Sequence, residues 1–412
     1  MSRVLIRGGC VLTLGRTNHP RADVLITDGV VDEVGMGLRA RDAEVIDADG
    51  AIVMPGFVDA HRHAWETLFR NMGEPVTPDR FGSHYGPDDT YAGTLIGLLS
   101  ALDAGVTSVV DWCDVGGPAH IEAAHRAHVD SGARTVLVSA PAPWSDGTRD
   151  FGTLASMGGG RLQVAGGIAG DDDWEGVRAA GLRIHAHAGT SPQDRGVIAG
   201  LGDRLGPDVT LIHCSHVDDA DLDAISASRA AVVITPSSEM AGGMGSPPLQ
   251  RFIDRGISPG LGVGTEVAAP TDMFAQMRAA ISVQHATYFD LKLAGKAGLP
   301  RLLTTRQVIR WATADGARAA GLDGVGVLEP GMPADVIVLR ADSPNIHPIN
   351  DPIGAVVWGM DTSNVQWVLV GGEVVKREGA LVGDVGRARA AAIEAQRRVA
   401  AAAGLVPVGG SR

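Results

Sequence analysis

Histidine carries the most chemical information in this sequence. Six of its 13 histidines fall into three tight groups: His61-Arg62-His63, His185-Ala186-His187 and His213-Cys214-Ser215-His216. Alternate residues of a strand project to the same side, so His61 and His63 share a face wherever the segment is extended. Imidazoles on a common face can chelate one divalent ion. They can also act as acids and bases near neutral pH. A single H-x-H matches by chance about as often as it holds an ion, because short motifs are weak signals. Three groups, each at the C-terminal end of a predicted strand, favour a metal or catalytic site over packed structural histidines.

Something must position these groups. Apolar, β-branched runs near Phe57-Val58, Thr107–Val110, Thr135–Val138, Leu162–Val164, Leu182–Ile184, Val209–Ile212, Ala231–Ile234 and Ile257–Leu261 predict eight strands. Ala-rich helical stretches such as Ile121–Ser131, Asp219–Ser228 and Asp272–His285 separate them. Alternating β and α predicts a parallel sheet, and eight units predict an α/β fold of the closed (β/α)8 TIM-barrel type. A doubly wound open sheet is the alternative, but no G-x-G-x-x-G follows the first strand. Both chain ends differ from this middle. Asp28-Gly29 and Gly371-Gly372 sit between short apolar runs and read as hairpins. The expected organisation is a small β-sandwich built from residues 1–54 and 332–385, a barrel over 55–331, and a C-terminal helix and tail over 386–412.

The bulk properties exclude several classes. The 412 residues are 45% hydrophobic and 20% charged, a balance that folds. The formal net charge of -13 disfavours a nucleic-acid partner. No apolar run reaches a membrane span, and Met1–Gly15 lacks the pattern of a secretion signal. Cys10, Cys113 and Cys214 are odd in number and widely spaced, which gives no zinc cage and suits a reducing cytoplasm. The partner expected is a small-molecule substrate, with homo-oligomerisation left open.

Pro55-Gly56-Phe57-Val58-Asp59-Ala60-His61-Arg62-His63, His187 and His213 resemble the amidohydrolase superfamily, in its cytosine-deaminase-like and chlorohydrolase-like branch. Gly326–Leu339 and Asn364–Gly372 are similar to that branch's return into its β domain. The resemblance covers nearly the whole chain. It implies a (β/α)8 barrel and metal-dependent hydrolysis of a carbon–nitrogen or carbon–halogen bond, with zinc or iron activating water and carboxylates moving the proton. It implies His61, His63 and His187 as metal ligands and His213 as a catalytic residue that polarises the substrate or assists the metal.

Two positions depart from that pattern. Strand eight of the branch reads Leu-Gly-x-Asp, where the Asp is both ligand and general base; here Leu261-Gly262-Val263-Gly264 places Gly264 there. The branch's H-x-x-E on strand five becomes His187-Ala188-Gly189-Thr190. A metal-free form is therefore an alternative, and Gly264→Asp is the probe of it: a gain in metal affinity or hydrolysis would show that the loss matters. Glu266 shares the strand parity of Gly264 and is the candidate replacement base. Glu66 and Glu239 approach from other strand ends and, with Trp65 and Trp112, are the expected substrate-binding residues. Aromatic walls with a few polar groups suit a flat, nitrogen-rich, cyclic substrate. Asn71–Thr90 and Trp144–Gly160 are the expected lids. Two further readings remain beside C–N hydrolysis: a non-hydrolytic elimination, cyclisation or isomerisation using the histidines as acids and bases, and a silent binding protein.

Overall fold

A computed structural model of the chain describes residues 2–72, 76–145, 148–170, 173–267 and 269–405. The N-terminal part forms strands β1 (Arg3–Val11), β2 (His19–Thr27), β3 (Val30–Gly35), β4 (Glu44–Asp47) and β5 (Ala51–Pro55). Asp28 and Gly29 take positive φ of 48° and 83°, which matches the twist of a two-residue hairpin between β2 and β3.

Eight parallel strands follow, paired in chain order: β6 (Phe57–Arg62), β7 (Val106–Cys113), β8 (Arg134–Ser139), β9 (Leu162–Ile168), β10 (Arg183–Ala188), β11 (Val209–His213), β12 (Ala231–Ile234) and β13 (Gly260–Leu261). These are the eight strands expected from the sequence. Four late strands, β14 (Val336–Arg340), β15 (Val365–Val370), β16 (Glu373–Arg377) and β17 (Ala380–Leu381), join β1–β5 in one nine-stranded mixed sheet. The expected domain from both chain ends is thus a continuous sheet. One edge of β1 is shared: Val4–Arg7 pair with β4, and Cys10 and Val11 with β5. The sheet has its own core, which includes Val4, Ile6, Val24, Ile46, Val336 and Val338.

Strand alternation builds the barrel's two faces. Val109, Leu137, Ile184, Leu211 and Val232 belong to the core under the surrounding helices. Val110, Val136, Val138, Ile212 and Val233 pack with Ala317, Ala319 and Ala320 of the helix Ala314–Ala320. Thr210, near the start of β11, donates its hydroxyl to the Ala319 carbonyl at 2.6 Å. That helix therefore plugs the N-terminal end of the barrel and leaves the C-terminal end for chemistry.

Strand β13 has only two residues, so Gly264 completes the closure. Its N–H donates to the His61 carbonyl at 2.9 Å, and its carbonyl accepts from the His63 N–H at 3.1 Å. Elsewhere the late linker departs from the sheet. Ile346, Ile353, Val356 and Met360 join the core on the barrel side. The C-terminal helix Val385–Ala402 buries Ala388, Ala392, Ala395 and Val399 along one face and packs on the helix Pro87–Asp103. Among the described residues, no helix is long and apolar enough to cross a membrane.

Candidate metal centre

Two of the three central histidines are aimed by breaks in regular strand geometry. On β6, the three steps from Asp59 to Arg62 face two on β7, from Val109 to Asp111. This extra residue is a bulge, and it resets the alternation. Ala60 lines the interior cluster. His61 points inward as well, and Arg62 turns out toward the helix Pro87–Asp103, where it approaches the Gly97 carbonyl at 3.5 Å. On β11, Val209 and Leu211 face the helices, and parity alone sends His213 with them. Instead His213 and Cys214 adopt positive φ of 78° and 53°, which carries the imidazole into the barrel mouth. Such residues each cost on the order of 1–3 kcal/mol and concentrate at functional sites.

The result is a tight group. One ring nitrogen from each of His61, His187 and His213 lies within 4.8 Å of the others. His61 Nε2 and His187 Nε2 are 3.3 Å apart. Trp112 stacks on the His187 ring at 4.1 Å with 12° between planes, which fixes that ring. Burial, reinforced by the neighbouring imidazoles, holds both His61 and His187 well below the usual histidine range. They are therefore neutral, the form that binds a metal. His61 Nδ1 is buried with no hydrogen-bond partner among the described residues. Three imidazoles that converge in this way fit a divalent ion with open coordination positions. Among the described residues this is the one such group.

Carboxylates surround the cluster through its histidines. Glu239 Oε1 accepts from His213 Nδ1 at 3.1 Å and from the Thr235 N–H at 2.9 Å. Its Oε2 is buried without a partner among the described residues. A carboxylate behind a ligand imidazole fixes its tautomer and raises its basicity. His63 stands just outside the triad. Its Nδ1 lies 3.3 Å from Asp114 Oδ1 and 3.6 Å from Glu66 Oε1. Burial lowers the His63 pKa, but Asp114 and Glu66 outweigh it and push the value up to about 9. Burial raises Glu66 to about 7, against the opposing charge of His63 and the hydrogen bond from the Thr265 hydroxyl.

Several expectations change here. Glu266 does not swing back toward the cluster. Gly264 has φ of 75°, so the chain leaves the strand at that residue and parity no longer governs Glu266. Glu266 is fully buried and its Oε1 accepts from Arg62 Nη1 at 2.5 Å. Arg62 thus meets carboxylates as well as a helix. Restoring Asp at 264 is also disfavoured: a Cβ there lies 2.8 Å from Ser238 Oγ, on a backbone that L side chains rarely adopt. Thr190 turns away from proton chemistry, since its N–H and hydroxyl both donate to Asp194 Oδ2. His185 lies deeper in the barrel, with both ring nitrogens unpartnered among the described residues and its pKa lowered to about 3 by burial and then Arg183.

Trp65 is wholly buried; its Nε1 donates to Asp114 Oδ1 at 2.9 Å and its ring packs on Phe81, Tyr85 and Trp144. The two expected lids meet there. A Cβ on Gly82 falls 2.1 Å from the Trp144 ring, so only glycine allows this approach. Residues 73–75 and 146–147 of those segments lie outside the described residues. Asp114, Thr235 and Thr265 were not singled out in the sequence. Asp114 follows Trp112 by two, a spacing that offered a signal; Thr235 and Thr265 had none beyond their position after strand ends.

With fold and site in place, comparison with known proteins gives the class. A model of the amidohydrolase family matches residues 175–375. A 5-methylthioadenosine/S-adenosylhomocysteine deaminase from Natronomonas pharaonis is 30% identical over 414 residues, covering 91% of this chain and 93% of the relative. Among solved structures, a zinc-bound adenosine deaminase from Xanthomonas campestris superposes with a TM-score of 0.83 at 18% identity, over 97% of this chain and 99% of that one. The zinc-complexed atrazine chlorohydrolase from Arthrobacter aurescens gives 0.82 at 22% identity, over 95% and 100%. The chain belongs to the amidohydrolase family, in its deaminase- and chlorohydrolase-like branch. It is an enzyme of that family with a site for a divalent metal ion.

Proposed function

We propose that this enzyme hydrolyses an exocyclic C–N bond of a small, nitrogen-rich ring, with an adenine-type nucleoside as the substrate class and zinc as the ion. The observation that carries the reading is the cluster of His61, His187 and His213, whose ring nitrogens lie within 4.8 Å of one another, with burial holding His61 and His187 in the neutral form. The deaminase relatives support the substrate class. A divalent ion bound there supplies Lewis acidity and makes water a nucleophile at neutral pH.

The protein's own groups do the rest. Glu239 holds the Nδ1 proton of His213 and directs the other ring nitrogen to the cluster. Glu66 is the carboxylate assigned to proton transfer in place of the missing strand-eight Asp. It sits beside Thr265, next in sequence to Gly264, and a carboxyl near pKa 7 exchanges a proton readily at neutral pH. Asp114 anchors His63 and Trp65 together and so shapes the wall next to Glu66. Buried aromatic walls exclude water from the reacting centre.

The test is ammonia release from 5′-methylthioadenosine, S-adenosylhomocysteine, 5′-deoxyadenosine and adenosine by zinc-loaded protein. Release from at least one, lost in His187→Ala, supports the reading. No release from any of them by protein that carries stoichiometric zinc rejects the substrate class.

A further inference from the structure

We propose that Arg62 is a positioning residue of the metal centre, locking the barrel seam through Asp59 and Glu266 on the outer face of β6. This rests on reading the histidine cluster as a metal site. The seam needs such a lock. Strand β13 offers two residues to the ladder, and Gly264 adds only backbone contacts to His61 and His63.

The side chains supply what the backbone lacks. Asp59 Oδ1 accepts from the Val263 N–H at 2.9 Å, across the seam, and from the His61 N–H at 3.4 Å. Its Oδ2 accepts from Arg62 Nε at 2.6 Å. Arg62 then crosses the seam itself: Nη1 reaches Glu266 Oε1 at 2.5 Å and Nη2 the Thr271 carbonyl at 2.9 Å. All three ionised side chains are fully buried. The planar guanidinium, with its fixed fork of donors, holds two carboxylates and the Thr271 and Gly97 carbonyls at set angles, which a lysine ammonium cannot do.

Stability alone does not account for this arrangement. A buried ion pair offers little net stability over apolar packing of the same volume. Its distinctive product is fixed geometry. Arg62 lies between His61 and His63 in sequence, and His61 reaches the cluster only through the bulge at Asp59–Arg62. The clamp grips that bulge from outside while the two histidines project inside.

The test compares Arg62→Met, Arg62→Lys and Lys376→Met. Lys376 is a buried lysine bound to Asp103, remote from the cluster, and serves as a destabilised control. Zinc affinity is read by competition with a chromophoric chelator, well below each variant's unfolding midpoint. Amide hydrogen exchange at Val263 and Gly264 is read in parallel on zinc-free protein. Arg62→Met is expected to bind zinc about 10-fold or more weakly, the loss typical of outer-shell changes, and to lose protection at both amides. Arg62→Lys recovers part of both, and Lys376→Met binds zinc like the parent. Parent-like zinc affinity and exchange in folded Arg62→Met overturn the proposal. If Arg62→Met does not fold, Glu266→Gln takes its place, with the same two readouts and a smaller loss expected in both; parent-like values there overturn it equally. A parent protein that binds no zinc rejects the metal reading, and the exchange data then judge the clamp by themselves.

Discussion

Glu239 Oε1 lies 3.1 Å from His213 Nδ1 and also accepts the Thr235 N–H, so one buried oxygen fixes both an imidazole and the turn beside it. His213 needs this support because its backbone is in the left-handed region, where strand pairing no longer sets the ring's direction. Glu239→Ala is expected to weaken zinc binding about 10–100-fold. Chelator competition on the folded variant measures this, and unchanged affinity contradicts the role.

Gly264 has a second constraint besides closing the barrel. Its φ of 75° and the nearness of Ser238 leave no place for a side chain. Gly264→Ala should cost about 1–3 kcal/mol, the range for a strained non-glycine backbone. Gly264→Asp should cost at least as much and give no gain in zinc affinity. Urea unfolding midpoints with zinc titrations of both variants provide the check.

Glu66 and Glu266 separate cleanly by experiment. Glu66→Gln at saturating zinc should lower kcat by about 10²–10⁴-fold, the usual contribution of a proton-transfer group, with little change in unfolding midpoint. Glu266→Gln should do the reverse, losing stability while retaining most of its turnover when metal is saturating. The pH profile adds a sign. Glu66 titrates near 7 in the folded protein, above the ordinary carboxyl range, so a base role requires pH above that value. kcat/KM should therefore fall as pH drops through about 7 in the parent. The inflection should be missing from the residual activity of Glu66→Gln.

Trp112 lies flat against His187 and offers an optical reading of the site. Trp112→Phe preserves a stacking face and should keep zinc affinity near the parent's. Trp112→Ala removes a fully buried ring and should cost about 3–5 kcal/mol. Zinc titration followed by tryptophan fluorescence should show a change in the parent that Trp112→Phe lacks.

The fold was legible because it rests on alternation. The eight apolar runs from Phe57 to Leu261 are the eight barrel strands, and the hairpins at Asp28-Gly29 and Gly371-Gly372 are those of the end sheet. His61, His187 and His213 were legible as types at strand ends. His187 keeps the parity of its strand, but the directions of His61 and His213 were not legible, because a bulge and two left-handed residues override parity there, and no residue type announces either. Parity also misplaced Glu266, since it presumed an extended chain through Gly264. The partners of Arg62 were hidden for a different reason. Glu266 is 204 positions away in sequence, and single-sequence reasoning has no access to such pairs.

Metal content is the measurement closest to the central claim that His61, His187 and His213 hold a divalent ion for C–N hydrolysis. Protein purified without chelator, zinc-loaded and desalted, is analysed for bound metal beside His61→Ala/His187→Ala. The account predicts one ion per chain in the parent and none in the double variant. Metal-free parent protein that still releases ammonia from its substrate contradicts it.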